Sequence, residues 1–410
     1  MLDMVYVFVT MTIPKAGAQI AGLPLTLNII LTACVILKNP NQVMLFIQRF
    51  KGFAIAYGVL LFFGLITFAL ALLDGTPAFK LAQIVIVLSS LLVGVSVLRM
   101  RPSALAKIVI ASTVIVNAYG VIQFLGGVED MSIQGITYTF GQSLLDKPIG
   151  ISTTSQQADT KIISTFQNGN SYGIFNVLAF SFLMSRLPVT KGWQIARMVA
   201  VPLSVIGILI CGSRSSVIPF ALMALFMVGS FLKQMPLRTR LAAGFALAFA
   251  MIAGIAALLA QGTILQQFWE RNVIHTLEDP SAAGRTDQWA YSFGQIAHMT
   301  PTELLRLFFF GRSSDMTIIG EGLPEFFFVY GIIGVCAFYG GLLLIARHCW
   351  NLPCGRTIAM GLLCVITAFC VDRTYDFPPN LMMFSLFAAG ALLISEGPYA
   401  QWHPESYRGH

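Results

Sequence analysis

Charged side chains set among long apolar runs are costly and seldom kept without a purpose, and in this chain they gather at a few points. Arg214 lies in ICGSRSS, where two apolar runs meet with almost nothing between them. A guanidinium stays charged at neutral pH, and its fork of donors is a geometric match for a phosphate. Arg214 therefore either holds an anion or snorkels to lipid headgroups. Arg285, in AAGRTDQW, and Arg312, in FFFGRSSD, carry the same ambiguity, with Asp287 as a surface partner for the former. Glu321 and Glu325 open GEGLPEFFFVYGIIG one helical turn apart, on a shared face. A carboxylate there can act as a general base, or it can merely favour the helix N-terminus. Asp372, Arg373 and Asp376 crowd VDRTYDFPP, where they either serve a ligand or pair with one another. The run STFQNGNSYG offers Gln167, Asn168 and Asn170 as neutral hydrogen-bonders, or as a helix start with an Asn cap.

The elements that must position these residues follow from composition. Of 410 residues, 56% are hydrophobic and 10% charged, against about 25% charged in soluble domains. A soluble chain this apolar could not cover itself with polar surface, so the reading is an all-α, polytopic membrane bundle over 1–410. Spans of about 20 apolar residues are expected near 2–14, 20–38, 52–73, 78–98, 104–127, 169–186, 193–212, 214–232, 238–263, 320–346, 355–371 and 378–396. That makes about twelve, the first of them a retained span and not a cleaved signal. Two connections are long, 128–168 and 264–319. The second carries amphipathic helices: Phe268, Trp269, Val273 and Leu277 share one side, and Trp289, Phe293 and Ile296 follow i, i+4, i+7. Such helices either lie in the membrane interface or cap the bundle. Lys38, Arg99, Arg101, Lys107, Lys191 and Arg347 all fall at span ends of one parity. By the positive-inside rule these ends and both termini are cytoplasmic, and both long loops face outward.

Absent motifs narrow the chemistry. There is no Walker motif, no H-E-x-x-H, no Gly-x-Ser-x-Gly and no zinc-ligand spacing. No metal and no cofactor is expected, and the seven cysteines read as packing residues. The net charge of +7 belongs to the membrane topology and not to nucleic acid. Acids in mid-span, the mark of ion-coupled transport, are nearly absent. The charges sit at the outer face and favour a binding or reaction site there over a translocation path.

Four of these motifs, in order, resemble the O-antigen ligase and Wzy-type polysaccharide polymerase family. STFQNGNSYG is similar to its F-x-N-x-N-x-x-G opening, ICGSRSSVIPF to its S-x-S-R turn, and AAGRTDQW to its G-R-x-x-x-W at the start of the long loop. FFFGR with EFFFVYGIIG is similar to its closing stretch. The likeness covers 165–340 well and the first 160 residues only by hydropathy. It implies a GT-C-type glycosyltransferase of the bacterial inner membrane, acting on the periplasmic side without a metal or a nucleotide sugar. The donor and acceptor are glycans on undecaprenyl diphosphate, and a chain-length regulator and a flippase are expected as pathway partners. Arg214 and Arg285 then hold the diphosphate, with Arg312 beside them. Asn168, Asn170, Asp372, Arg373 and Asp376 face the glycan. Ligases carry a His-Asn pair where the long loop re-enters the membrane. Here that stretch reads IIGEGLPEF, which favours a polymerase and makes Glu321, or Glu325, the acceptor-activating group. A ligase to lipid A-core, a flippase for lipid-linked sugars and a non-enzymatic partner of an assembly complex are the rival expectations.

Overall fold

The helix Gly169–Leu183 is apolar on every side, and every one of its residues but Asn170 is buried. Such a helix can only sit at the axis of a bundle, and the others are arranged round it. The computed structural model describes residues 1–20, 23–38, 48, 50–52, 55, 58, 61–62, 65, 90, 92–141, 161–233, 274, 285–311, 321–372, 374–375 and 378–396. In these, α1 (Leu2–Thr12) leads into strands β1 (Gly17–Ile20) and β2 (Leu23–Thr26) and then α2 (Leu27–Lys38). There follow α3 (Pro102–Gly126), the single turn α4 (Val128–Met131), the axial helix α5 (Gly169–Leu183), α6 (Lys191–Ile210) and α7 (Arg214–Lys233). The last five are α8 (Arg285–Ile296), α9 (Pro301–Phe310), α10 (Gly322–Trp350), α11 (Arg356–Val371) and α12 (Pro378–Glu396). Helix α5 touches α3, α6, α7, α11 and α12.

Among the described residues α3, α6 and α10 are long and apolar enough to cross a membrane, and Leu2–Thr12, Arg214–Gly229, Arg356–Val371 and Pro379–Ser395 are shorter apolar helices. This is a helical protein of membrane type. One expectation is corrected. The segment 20–38 is not a single span, and the chain is not wholly α. Gly17↔Thr26 and Ile20↔Leu23 close an antiparallel hairpin, helped by Pro24, which does not suit a helix interior. Only twelve helical residues remain in α2, about 18 Å of rise against a hydrocarbon core of about 30 Å. The hairpin instead joins the first long loop: Gln19 N donates to Phe140 O at 2.7 Å and Phe140 N to Gly17 O at 2.8 Å. The spans expected near 52–73 and 238–263, most of 78–98, and the amphipathic segment round Trp269 lie largely outside the described residues.

Close helix approach depends on small residues, as in membrane bundles generally. A Cβ on Gly173 would stand 2.6 Å from Ser216 Oγ and 2.9 Å from Cys211 Sγ, so α5 and α7 meet nearly backbone to backbone. Polar groups inside the bundle satisfy one another. Tyr172 OH donates to Asn117 Oδ1 at 2.7 Å, and Asn117 Nδ2 donates to Asn176 Oδ1 at 2.8 Å.

Helix α10 is broken at Gly331, whose φ of 65° is non-helical. In a straight helix Phe326 and Phe338 would stand about 18 Å apart along the axis. Their rings stack with centroids 4.9 Å apart, so the two parts fold toward each other at that glycine. The remaining helices alternate in direction and sort their ends. Arg101, Lys191, Lys233, Arg347 and Arg356 mark one end of the bundle, and Asn168, Arg214, Glu321 and Asp372 mark the other.

Candidate functional site

The non-basic end is built from the segment 161–168, which is drawn into the bundle instead of looping free. Gln123 of α3 clamps it: Ser164 N donates to Gln123 Oε1 at 2.7 Å, and Gln123 Nε2 donates to Ser164 O at 3.1 Å. Ser164 Oγ also donates to Val116 O at 2.7 Å. Ser164 and Gln167 both adopt left-handed backbone, with φ of 49° and 60°. Non-glycine residues enter that region only where their surroundings compel it, and such positions cluster at functional sites. The contortion delivers Asn168 to the start of α5, where its side chain accepts a hydrogen bond from Asn170 N at 2.8 Å. The Asn cap is thus present. It leaves the Asn170 side chain, the one half-buried position of α5, facing the polar end.

Asn170 links two charges. Lys161 Nζ donates to its Oδ1 at 3.4 Å, and its Nδ2 donates to Asp372 Oδ2 at 3.2 Å. Asp372 lies just past the C-terminus of α11 and is 2% exposed. A helix C-terminus disfavours a carboxylate, so its burial there depends on these neighbours. The expected pairing within VDRTYDFPP cannot be followed, because Arg373 and Asp376 lie outside the described residues, as does Arg312.

Arg214 is the first residue of α7, after a turn in which Gly212 takes φ 63°. Ser213 and Ser215 beside it are buried, and their hydroxyls lie 2.9 Å apart. The backbone amides of Ser216 and Val217 bond to Ser213 O at 3.1 and 2.9 Å, so this is a regular helix start with its orphan N–H groups at the same end as the guanidinium. Both features attract an anion. The turn lies against α5: a side chain on Gly169 would collide with Cys211 O and Lys161.

At the same end, Glu321 is the N-cap residue of α10, half-buried, and its side chain makes no capping hydrogen bond. A side-chain capping hydrogen bond therefore does not account for Glu321, and the charge preference of an acid for a helix N-terminus stands as the alternative. Glu325 is 3% exposed, so the two acids differ sharply in access. Gly322, with φ 69°, passes so close to Cys370 and Val371 that any Cβ would strike their backbone. That contact sets the start of α10 beside Asp372. The indole Nε1 of Trp289 donates to Glu321 O at 3.4 Å. Arg285, one helical turn before Trp289 on α8, therefore begins a helix tied to the same place.

The structure thus gathers Asn168, Asn170, Arg214, Asp372, Glu321 and Glu325, with the start of α8, at one end of the bundle. Sequence reasoning missed Lys161, the Gln123–Ser164 clamp and the Ser213–Ser215 pair. Lys161 had a readable signal, a lone cation seven positions before the Asn168 cap at the end of a polar loop. The clamp had none, since Gln123 falls inside an apolar helix. Among the described residues no group of His, Cys, Asp and Glu is disposed to hold a metal ion. The chain matches no protein family and no curated protein. Fold and composition define the class: an α-helical protein with helices fit to cross a membrane and a charged site at one end.

Proposed function

We propose that the chain is a GT-C-type glycosyltransferase of the bacterial inner membrane that polymerises oligosaccharide repeat units carried on undecaprenyl diphosphate. The observation that carries this reading is the placement of Arg214. A permanent cation sits at a helix N-terminus among buried serines, beside the Lys161–Asn170–Asp372 chain and at the same end of the bundle as the half-buried Glu321. An anionic leaving group and a hydroxyl nucleophile together need such a pairing. The four ordered motifs of the sequence support the same family.

In this reading the donor's diphosphate is held by Arg214 and the α7 N-terminus, with Arg285 approaching from α8. The acceptor's hydroxyl oxygen attacks the anomeric carbon as the bond from that carbon to the phosphate oxygen breaks. The electron pair leaves with the lipid diphosphate, whose growing charge the arginines stabilise. The hydroxyl proton passes to the Glu321 carboxylate. Asn168, Asn170 and Asp372 orient glycan hydroxyls, and the anomeric centre is inverted. Glu325, being buried, supports the geometry of the segment. Orientation follows the positive-inside rule: the basic ends are cytoplasmic and the site faces the periplasm.

The test is the purified protein in proteoliposomes with a lipid-linked repeat unit. A ladder of products is expected. Transfer of one glycan to lipid A-core alone would make it a ligase, relocation across the bilayer without a new bond a flippase. No change in the substrate would leave an assembly partner.

A further inference from the structure

The opposite end of the bundle holds a second feature that the transferase reading does not use. A cleft of about 690 Å³ opens between α1, the start of α3 and the start of α6. Arg99, Arg101 and Lys107 line it, with Asp3 as its one acid and Trp193 in its wall. Asp3 is already engaged, with Arg99 Nη1 at 3.4 Å and Lys38 Nζ at 3.9 Å. Its carboxylate leaves Arg101 and Lys107 uncompensated among the described residues. Arg99 Nη1 is buried and makes no hydrogen bond among those residues beyond this loose ion pair. The Lys107 ammonium stands over the Trp193 ring, 5.9 Å from its centroid, which fixes a basic group next to an aromatic one. Residues 103 and 104 in the first turn of α3 also line the cleft.

The cleft is not a closed pocket for a soluble anion, because its lower wall continues as apolar surface. Phe8, Ile108 and Ala111 line it, and Ile115 continues the Ala111 face of α3 at 48% exposure. A cationic head above an apolar stripe, with an indole at the boundary, is the arrangement that fits an amphiphile. We propose that this cleft binds one anionic phospholipid of the leaflet at the basic end, its phosphate among Arg99, Arg101 and Lys107 and an acyl chain along α3. The inference rests on the membrane reading of the fold and is independent of the transferase reading.

Native mass spectrometry of the full chain released from mixed phosphatidylglycerol and phosphatidylcholine nanodiscs tests it. One phosphatidylglycerol per chain should be retained in preference to phosphatidylcholine. The double variant Arg101→Gln, Lys107→Gln, which breaks neither Asp3 ion pair, should weaken that retention at least about tenfold. In vesicles, brominated phosphatidylglycerol should quench Trp193 emission, taken as the difference from Trp193→Phe, more strongly than brominated phosphatidylcholine. This arm uses the charge-intact cleft, so the outcome does not depend on the double variant folding. Equal retention of the two lipids, undiminished retention by the double variant, or equal quenching overturns the proposal. Displacement of the lipid by inorganic phosphate alone would also overturn it, making the cleft a site for a soluble anion.

Discussion

At the scale of single residues, the two acids of GEGLPEF separate by access. Glu321 is half-buried with no capping bond, and Glu325 is 3% exposed. Removing a general base typically lowers a rate by about 10²–10⁴-fold, whereas losing a charge near a helix N-terminus costs about 0.3–1 kcal/mol of stability. Glu321→Gln should therefore remain folded and inserted, with polymer formation reduced at least about 100-fold in the proteoliposome assay. Glu325→Gln should act mainly on stability, read as a lower unfolding temperature in detergent. Normal polymerisation by Glu321→Gln would move the acceptor-activating role to Asp372 or Asp376. Arg214→Lys keeps the charge but loses the bidentate fork, and its turnover should fall with little change in melting. Full activity in that variant would remove the diphosphate role. Most of these residues were legible from sequence, because an Arg between two apolar runs or paired acids at a span start is anomalous in itself. Their partnerships were not. Asn170 reaches Asp372 across 202 positions, and nothing in either local sequence announces the other.

At the scale of elements, periodicity and length located the helices well where apolar runs were long and bounded by charge. They failed at 20–38, where a continuous apolar run conceals a hairpin. Hydropathy does not register that Pro24 does not suit a helix interior, or that Gly17 and Gln19 pair with the loop at 135–140. The glycine pattern was likewise present in the sequence without its meaning, since only the packed structure shows which glycines are contacts. Gly173 meets α7 so closely that a larger residue must push the helices apart, at a cost of about 1–3 kcal/mol. Gly173→Leu should accordingly lower the unfolding temperature in detergent and impair Arg214-dependent turnover, since the two helices carry Asn170 and Arg214. Gly340, with nothing within 4 Å of its would-be Cβ, is the control. Gly340→Ala should be neutral or slightly stabilising, by up to about 1 kcal/mol.

At the scale of the whole molecule, the charge asymmetry legible in the sequence reappears as geometry. Basic residues mark one end and the gathered site marks the other, roughly 24 Å apart along α3 from Lys107 to Gln123. Cysteines introduced singly should report this arrangement. Membrane-impermeant thiol reagents applied to intact cells should modify positions in 128–141 and 285–311 and leave 186–191 and 351–355 unmodified until the membrane is permeabilised. Modification of 186–191 in intact cells would invert the orientation and move the site to the cytoplasm.

The break at Gly331 sets how the two ends are mechanically related. Residues 331–350 alone rise about 30 Å, the thickness of a hydrocarbon core, so the nine residues before them are surplus to a crossing. That surplus is bolted to the outer helices. Phe328 meets Phe293 of α8 at 5.2 Å, Phe327 meets Phe308 of α9 at 6.1 Å, and Trp289 holds Glu321. Glu321, Glu325 and the start of Arg285's helix are consequently parts of one plate, held on the spanning part by the Phe326–Phe338 stack and on α11 by the close approach of Gly322. Arg214 and Asp372 belong to the frame beneath. Any side chain at 331 would meet the Phe309 and Phe310 backbone. Gly331→Ala should therefore re-pitch the plate and slow transfer without altering a single reacting group.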